Sequence, residues 1–186
     1  MAKTLSDFIM ILDNVIDPDL CTQLIETFDA STLDKTKRDT DYYSFHEVNI
    51  TTQASFKDME EKLRQITYQV HDSYITYTQS TFIPQNHGYE HLRMKKYEVN
   101  NHDQFDWHTD VGDYASARRY LVMFYYINSV EDGGDTLFDL GGESYYGVKP
   151  KQGRVVCFPP NFLYPHKGCM PISGPKYIIS TYGHYL

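Results

Sequence analysis

Cysteine is scarce. Cys21, Cys157 and Cys169 are spread over 186 residues with no Cys-x-x-Cys pair, which excludes a disulfide framework and a four-thiolate zinc site. An odd number cannot all pair, so the sequence points to a reducing, intracellular setting, the cytoplasm. A continuous apolar run of about 20 residues is also missing. The start, MAKTLSDFIMILDNVIDPDL, has an apolar stretch broken by Asp13 and lacks a small-residue cleavage site. Neither a signal peptide nor a membrane partner is expected. Basic residues are outnumbered, 17 Lys and Arg against 25 Asp and Glu, for a net charge of -8. That balance argues against nucleic acid as a partner, because phosphate binding needs clustered cations. The one short basic run, Lys35, Lys37 and Arg38, is flanked by Asp34 and Asp39 and reads as a solvated loop. Repeats, low-complexity tracts and linkers are lacking, so residues 1–186 are expected to form a single domain.

What the chain has in quantity is aromatic surface, with 17 Tyr and 10 Phe against one Trp. Many tyrosines suit half-buried strands, where the ring packs and the hydroxyl reaches a polar partner. Residues 8–12 read as a short strand. Asp17-Pro18 then starts a helix, with a capping carboxylate and a first-turn proline, and Leu20, Leu24, Ile25 and Phe28 continue it to about residue 29. A second helix is predicted from Phe56, Met59, Leu63, Ile66, Val70, Tyr74 and Tyr77, one apolar stripe at helical spacing. The stretch 80–89, with Pro84 and Gly88, ends it. Residues 30–54 read as loop with one strand at most.

From residue 92 onward, short runs rich in Tyr, Val, Ile and Phe alternate with Gly, Pro, Asn and Asp clusters. Strands are predicted over 92–99, 105–110, 120–127, 136–138, 153–158 and 177–182. Helices first and strands afterwards imply a mostly β, α+β fold: helices on one face of a largely antiparallel double sheet.

Chemistry begins at Trp107-His108-Thr109-Asp110. On a strand, residues i and i+2 share a face with Cα atoms about 6–7 Å apart, so an imidazole and a carboxylate could converge on one cation. Alone the motif decides nothing, because chance supplies roughly 0.7 such spacings in a chain of this composition. His166, in a loop after Phe158-Pro159-Pro160, supplies a third donor. Two histidines and one carboxylate with the remaining positions open suit non-haem iron(II) that binds a cosubstrate and dioxygen. Cys169, three residues on, is the alternative as a fourth ligand in a closed zinc site. Lys176 follows His166 by ten residues and heads a strand whose alternation groups it with Ile178, Ser180 and Tyr182. If that face is the inner one, its ammonium needs an anion. A snorkelling surface lysine is the other reading.

In this order, His-x-Asp, a later His and Gly174-Pro175-Lys176, the sequence resembles the prolyl 4-hydroxylase-like branch of the 2-oxoglutarate/iron(II) dioxygenases. Tyr125-Tyr126-Ile127-Asn128 is similar to that family's Tyr-Leu-Asn strand end, and Gly133-Gly134-Asp135-Thr136-Leu137-Phe138 to its Gly-Gly-Glu-Thr-x-Phe. Residues 148–158 resemble its segment of Pro, two residues, Gly and a buried strand; residues 16–25 resemble its N-terminal helix. The resemblance implies a double-stranded β-helix (jelly-roll) core with N-terminal helices packed on one sheet. It implies His108, Asp110 and His166 on iron(II), and Lys176 on the distal carboxylate of 2-oxoglutarate. Dioxygen would be the cosubstrate and ascorbate a reductant. Tyr97, Tyr126 and Thr136 match positions around 2-oxoglutarate, and Arg119 matches an arginine that faces a peptide substrate in some members. An ordinary core or strand role competes for those three, and plain solvent exposure for Arg119. The chain departs from the pattern at Val122, where Thr is frequent, at Tyr182, where Trp is frequent, and in a slightly longer spacing from Tyr97 to His108.

The expected activity is hydroxylation of a substrate C–H, with a prolyl residue of a peptide or protein as the favoured target. An acidic surface would favour a basic or neutral one. Residues 39–50 and 112–119 are candidate lids. The same chemistry on a free amino acid or other small molecule is the main rival, followed by a non-catalytic metal-binding jelly roll and a plain Tyr-rich β interaction domain.

Overall fold

Asp17 begins the first helix as read from sequence: its carboxylate accepts from the Asp19 amide at 2.8 Å, and Pro18 needs no amide partner. In the computed structural model, which describes residues 3–31, 35–83 and 85–186, this helix α1 spans Pro18–Ala30. It buries Leu20, Cys21, Leu24 and Phe28. Helix α2 spans Lys57–Thr78 and stops where Gln79 turns left-handed, φ 52°. Its stripe buries Met59, Leu63, Val70 and Tyr74, while Tyr77, expected on the same face, is 48% exposed. A fully buried leucine such as Leu63 contributes about 1.5–3 kcal/mol, so the stripe rather than helix propensity holds α2 in place. Asp34 and Pro84, used above as a flank and a breaker, lie outside the described residues.

Among the described residues twelve strands follow in chain order. They are β1 (Met10–Leu12), β2 (Thr36–Asp39), β3 (Ser44–Asn49), β4 (His87–Tyr89), β5 (Arg93–Tyr97) and β6 (Phe105–His108). Then come β7 (Arg119–Tyr126), β8 (Thr136–Phe138), β9 (Tyr146–Val148), β10 (Val155–Phe158), β11 (His166–Gly168) and β12 (Lys176–Tyr185). The larger sheet runs β1-β10-β7-β12-β5-β3-β2 with β4 also on β12; the smaller runs β6-β11-β8-β9. The pairings are antiparallel. This is the mostly β architecture with two helices that the sequence predicts. Two readings change. The basic run at 35–38 is largely an exposed edge strand, and 39–50 contains β3, with Phe45 and Val48 buried, which confines any lid in that stretch to residues 40–43.

Period-two alternation divides the core. One set of residues from the larger sheet, Met94, Met123, Tyr125, Tyr177 and Ile179, packs under α1 and α2. The alternate set, Tyr97, Phe124, Tyr126, Ile178 and Tyr182, meets Phe138 and Val148 of the smaller sheet. The second core lies between the sheets, and the site opens within it.

Candidate metal centre

His166 was expected in a loop; it is instead the first residue of β11, directly opposite His108 at the end of β6. Antiparallel register therefore joins two histidines far apart in the chain. Asp110, just past β6, is anchored by its amide donating to Pro160 O at 3.1 Å. One donor atom from each of His108, Asp110 and His166 lies within 4.8 Å of the others. His166 Nε2 is 3.3 Å from Asp110 Oδ2, and His108 Nε2 is 4.0 Å from Oδ1. The Nδ1 of His108 donates to Asp106 O at 2.7 Å and that of His166 to Tyr164 O at 3.1 Å. Each imidazole is thereby fixed in the tautomer that turns a bare Nε2 toward the cluster. Burial, and then the neighbouring His166, push His108 down to about 4, with Asp110 opposing, so His108 is neutral at pH 7. Among the described residues Cys169 is not part of this cluster.

Aromatic rings pack against the centre. Phe105 stacks on His108 with centroids 3.6 Å apart, and Phe124, Phe138 and Phe158 surround His166. Tyr182 OH donates to Asp110 Oδ1 at 2.8 Å. Arg119 grips Glu90 through Nε and Nη2 at 2.7 and 2.8 Å and donates from Nη1 to Asp110 O at 2.8 Å. Its guanidinium lies 3.8 Å from the centroid of the Tyr182 ring. Arg119 also borders an outer cleft of about 870 Å³, together with residues 112, 113, 115 and 116 of the expected lid.

Lys176 is 1% exposed, which excludes the surface-lysine reading. Nζ donates to Gly134 O at 2.9 Å and lies 4.8 Å over the Tyr97 ring. Gly134 has φ +73°, and a Cβ there would come within 3.3 Å of Lys176 Cδ, so the glycine allows both the turn and the close approach. Burial pushes the Lys176 ammonium down to about 8, against the pull of Cys169 and Asp135 and with Lys95 adding to the fall. Tyr97 and Thr136 line the same inner cavity as His108, Asp110 and His166. Tyr126 is not among its walls and reaches it through Thr136, the two hydroxyls 2.6 Å apart. The sequence reading missed Lys95, another wall of the cavity, although its place two residues before Tyr97 on one strand is a period-two signal.

Asp110 Oδ2 and His166 Nε2 are buried with no hydrogen-bond partner among the described residues. Buried polar atoms are ordinarily satisfied, and two orphaned lone pairs 3.3 Å apart are what a cation would satisfy. The donor set, two imidazoles and a carboxylate with no fourth ligand in the cluster among the described residues, fits iron(II) with open positions.

The sequence pattern of the 2OG-Fe(II) oxygenase superfamily matches residues 92–184, half of the chain. The chain is similar to probable prolyl 4-hydroxylase 3 of Arabidopsis thaliana, 28% identical over 130 residues, which take in 56% of this chain and 45% of that protein. It thus spans about half the length of the curated relative it matches. Among solved structures it resembles the viral collagen prolyl hydroxylase of Paramecium Bursaria Chlorella virus-1 in its 2OG complex, with TM-score 0.71 and 16% identity, covering 96% of this chain and 97% of that one. It also resembles a Trichoplax adhaerens prolyl hydroxylase bound to a hypoxia inducible factor peptide fragment, with TM-score 0.73 and 13% identity over 96% and 84% of the two chains. A Pseudomonas putida prolyl-4-hydroxylase matches with TM-score 0.70 and 13% identity over 96% and 93%. At these identities the structures carry the fold, a jelly roll with flanking helices. With the superfamily pattern covering half its length, the chain belongs to the 2OG-Fe(II) oxygenase superfamily, and iron(II) and 2-oxoglutarate are its cofactors.

Proposed function

We propose that residues 1–186 act as one dioxygenase domain that hydroxylates a C–H bond of a proline-containing peptide or protein, with His108, Asp110 and His166 as the iron ligands. The observation that carries this reading is the pair of orphaned buried donors, Asp110 Oδ2 and His166 Nε2, in one cavity with a buried lysine. Dioxygen is the oxidant, and iron(II) with 2-oxoglutarate, when bound, would supply the electrons that activate it to break an unactivated C–H bond. The protein's part is placement and exclusion of water. The Nε2 atoms of His108 and His166 and the Asp110 carboxylate would hold the metal. Lys176 would pair with the distal carboxylate of the cosubstrate, with Tyr97 and Thr136 beside it, and Phe105 and Phe124 would make part of the cavity apolar. Arg119, fixed by Glu90, borders the outer cleft where the substrate would lie. No side chain is needed as a general base.

A broad, open cleft of about 870 Å³ supports a polypeptide over a free amino acid, which would be better matched by a closed pocket. Succinate release with iron(II), 2-oxoglutarate, ascorbate and dioxygen tests the assignment. A proline-rich peptide should stimulate it and free amino acids should not; the reverse order assigns the enzyme to small molecules. The buried free thiols Cys21 and Cys157 are consistent with a reducing, cytoplasmic setting. No helix among the described residues is long and apolar enough to cross a membrane.

A further inference from the structure

Alternation along β5 sends Met94 into the core beneath the helices and Tyr97 into the core between the sheets. Lys95 shares the face of Tyr97. It is 7% exposed and forms part of the cavity wall that also includes His108, Asp110, His166 and Lys176. Lys176 at least donates to a carbonyl. Lys95 Nζ has no hydrogen bond or ion pair among the described residues; it lies 5.2 and 6.0 Å from the centroids of the Phe45 and Phe105 rings. The cross-strand neighbour Glu47 could have paired with it, but Glu47 Oε1 accepts from Arg93 at 3.2 Å and Arg38 at 3.4 Å. A buried cation left in this state is costly unless an anion joins it.

The proposed cofactors do not supply that anion. Iron(II) with one carboxylate ligand keeps one positive charge, and Lys176 adds a second. The two carboxylates of 2-oxoglutarate balance those and leave the charge of Lys95 over. Phe105, His108, Asp110 and Tyr182 are walls of both the inner cavity and the outer cleft, so the excess charge sits beside the passage between them. We propose that Lys95 is a specificity-determining residue that takes a carboxylate borne by the substrate, making the preferred target a proline peptide with an acidic side chain or free C-terminus next to the reacting residue. This deepens the oxygenase reading and rests on it. It also reverses the expectation from net charge: the chain is acidic overall and Arg93 and Arg119 are already paired with Glu47 and Glu90, but Lys95 brings an unpaired cation to the inner cavity. Burial pushes the Lys95 ammonium below its usual range against the pull of Glu47 and Asp110, and a bound carboxylate would oppose that shift.

The test is equilibrium binding. Wild type, Lys95→Met, Lys95→Gln and Lys95→Arg are loaded anaerobically with iron(II) and 2-oxoglutarate. Each is titrated with matched peptides, and the visible iron-to-oxoacid charge-transfer band is followed. The probes are acetyl-Glu-Pro-Gly-amide against its Gln counterpart, acetyl-Gly-Pro-Glu-amide against its Gln counterpart, and acetyl-Gly-Pro with a free or amidated end. In wild type the carboxylate member of at least one pair should bind about tenfold tighter. Lys95→Arg should keep that preference, and Lys95→Met and Lys95→Gln should lose it, with the 2-oxoglutarate Kd unchanged within about twofold. Either neutral variant suffices if the other does not fold. Equal binding within every pair in wild type overturns the proposal, as does a preference that survives in a neutral variant. A 2-oxoglutarate Kd raised about tenfold in those variants assigns Lys95 to the cosubstrate instead and leaves the oxygenase reading standing. A wild type without the band overturns both.

Discussion

The Tyr182 hydroxyl hydrogen-bonds Oδ1 of Asp110 at 2.8 Å, leaving Oδ2 as the carboxylate oxygen without a partner. Burial, reinforced by the Asp110 charge, raises the tyrosine pKa well above its ordinary value, so the hydroxyl stays a donor throughout the working pH range. Arg119 lies against the face of the same ring and is itself held by Glu90. Orientation therefore passes from the outer cleft through Arg119 and Tyr182 to Asp110.

Removing that hydroxyl should loosen the carboxylate without disturbing the fold. Tyr182→Phe is expected to weaken iron(II) or manganese(II) affinity by about 10-fold, within the range seen when a metal ligand loses its hydrogen-bond partner. Manganese(II) titration by electron paramagnetic resonance, with circular dichroism as the folding control, checks this. Unchanged affinity would show that packing alone sets the orientation of Asp110.

For Lys176→Ala the expected result is a large loss of 2-oxoglutarate affinity, about 100-fold on the scale of a buried charge-assisted contact, with metal affinity retained. The same lysine gives a pH signature in wild type. Its pKa of about 8 in the free protein means the charged form that binds an anion dominates below pH 8 and is lost above it. Apparent cosubstrate affinity should be level below about pH 7 and fall by up to about tenfold per unit above about 8. Calorimetry from about pH 6.5 to about 9.5 reads both effects; a flat profile would remove Lys176 from the role.

Asp103 offers a stability prediction away from the chemistry. Fully buried, it accepts from Lys37 and Ser44, each at 2.7 Å, and from the Glu98 amide at 3.0 Å. Burial by itself would raise its pKa, but the Glu98 amide, Lys37, Asn100 and Ser44 together hold the carboxyl well below the usual range. The stabilisation is thus complete above the unfolded value of about 3.9 and is lost as pH falls below it. Asp103→Asn should cost on the order of 2–4 kcal/mol at pH 7, and its deficit should shrink as the pH drops below about 4. Urea unfolding of both proteins at the two pH values measures it.

Much of this molecule can be read from its residues, for identifiable reasons. The α2 stripe and the strands around Leu121, Val156 and Ile179 carry strong periodic apolar signals, and they form where expected. His108, Asp110 and His166 do converge, and Lys176 is buried on the inner face. What escaped is short or polar. Strand β11 is only His166-Lys167-Gly168, with no alternation of its own; it exists because β6 and β8 flank it. Strand β4 hides in a stretch marked by Pro84 and Gly88 and owes its pairing to the long β12. Strand β9 owes its pairing to β8. Lys95 and Lys96 are indistinguishable by composition. Only the register of β5 turns the first toward the cavity and the second out to Asp29 and Glu98. Arg119, read as facing substrate, spends its donors on Glu90 and Asp110, partners far away in sequence or beyond the reach of a motif.

His108, Asp110 and His166 are proposed to bind iron(II) with coordination positions left for a 2-oxoacid. Anaerobic addition of iron(II) and 2-oxoglutarate, followed by visible absorbance, tests it most directly. The wild-type protein should develop a weak charge-transfer band, and folded His108→Ala and His166→Ala should not. A wild type that stays colourless, or variants that keep the full band, would contradict it.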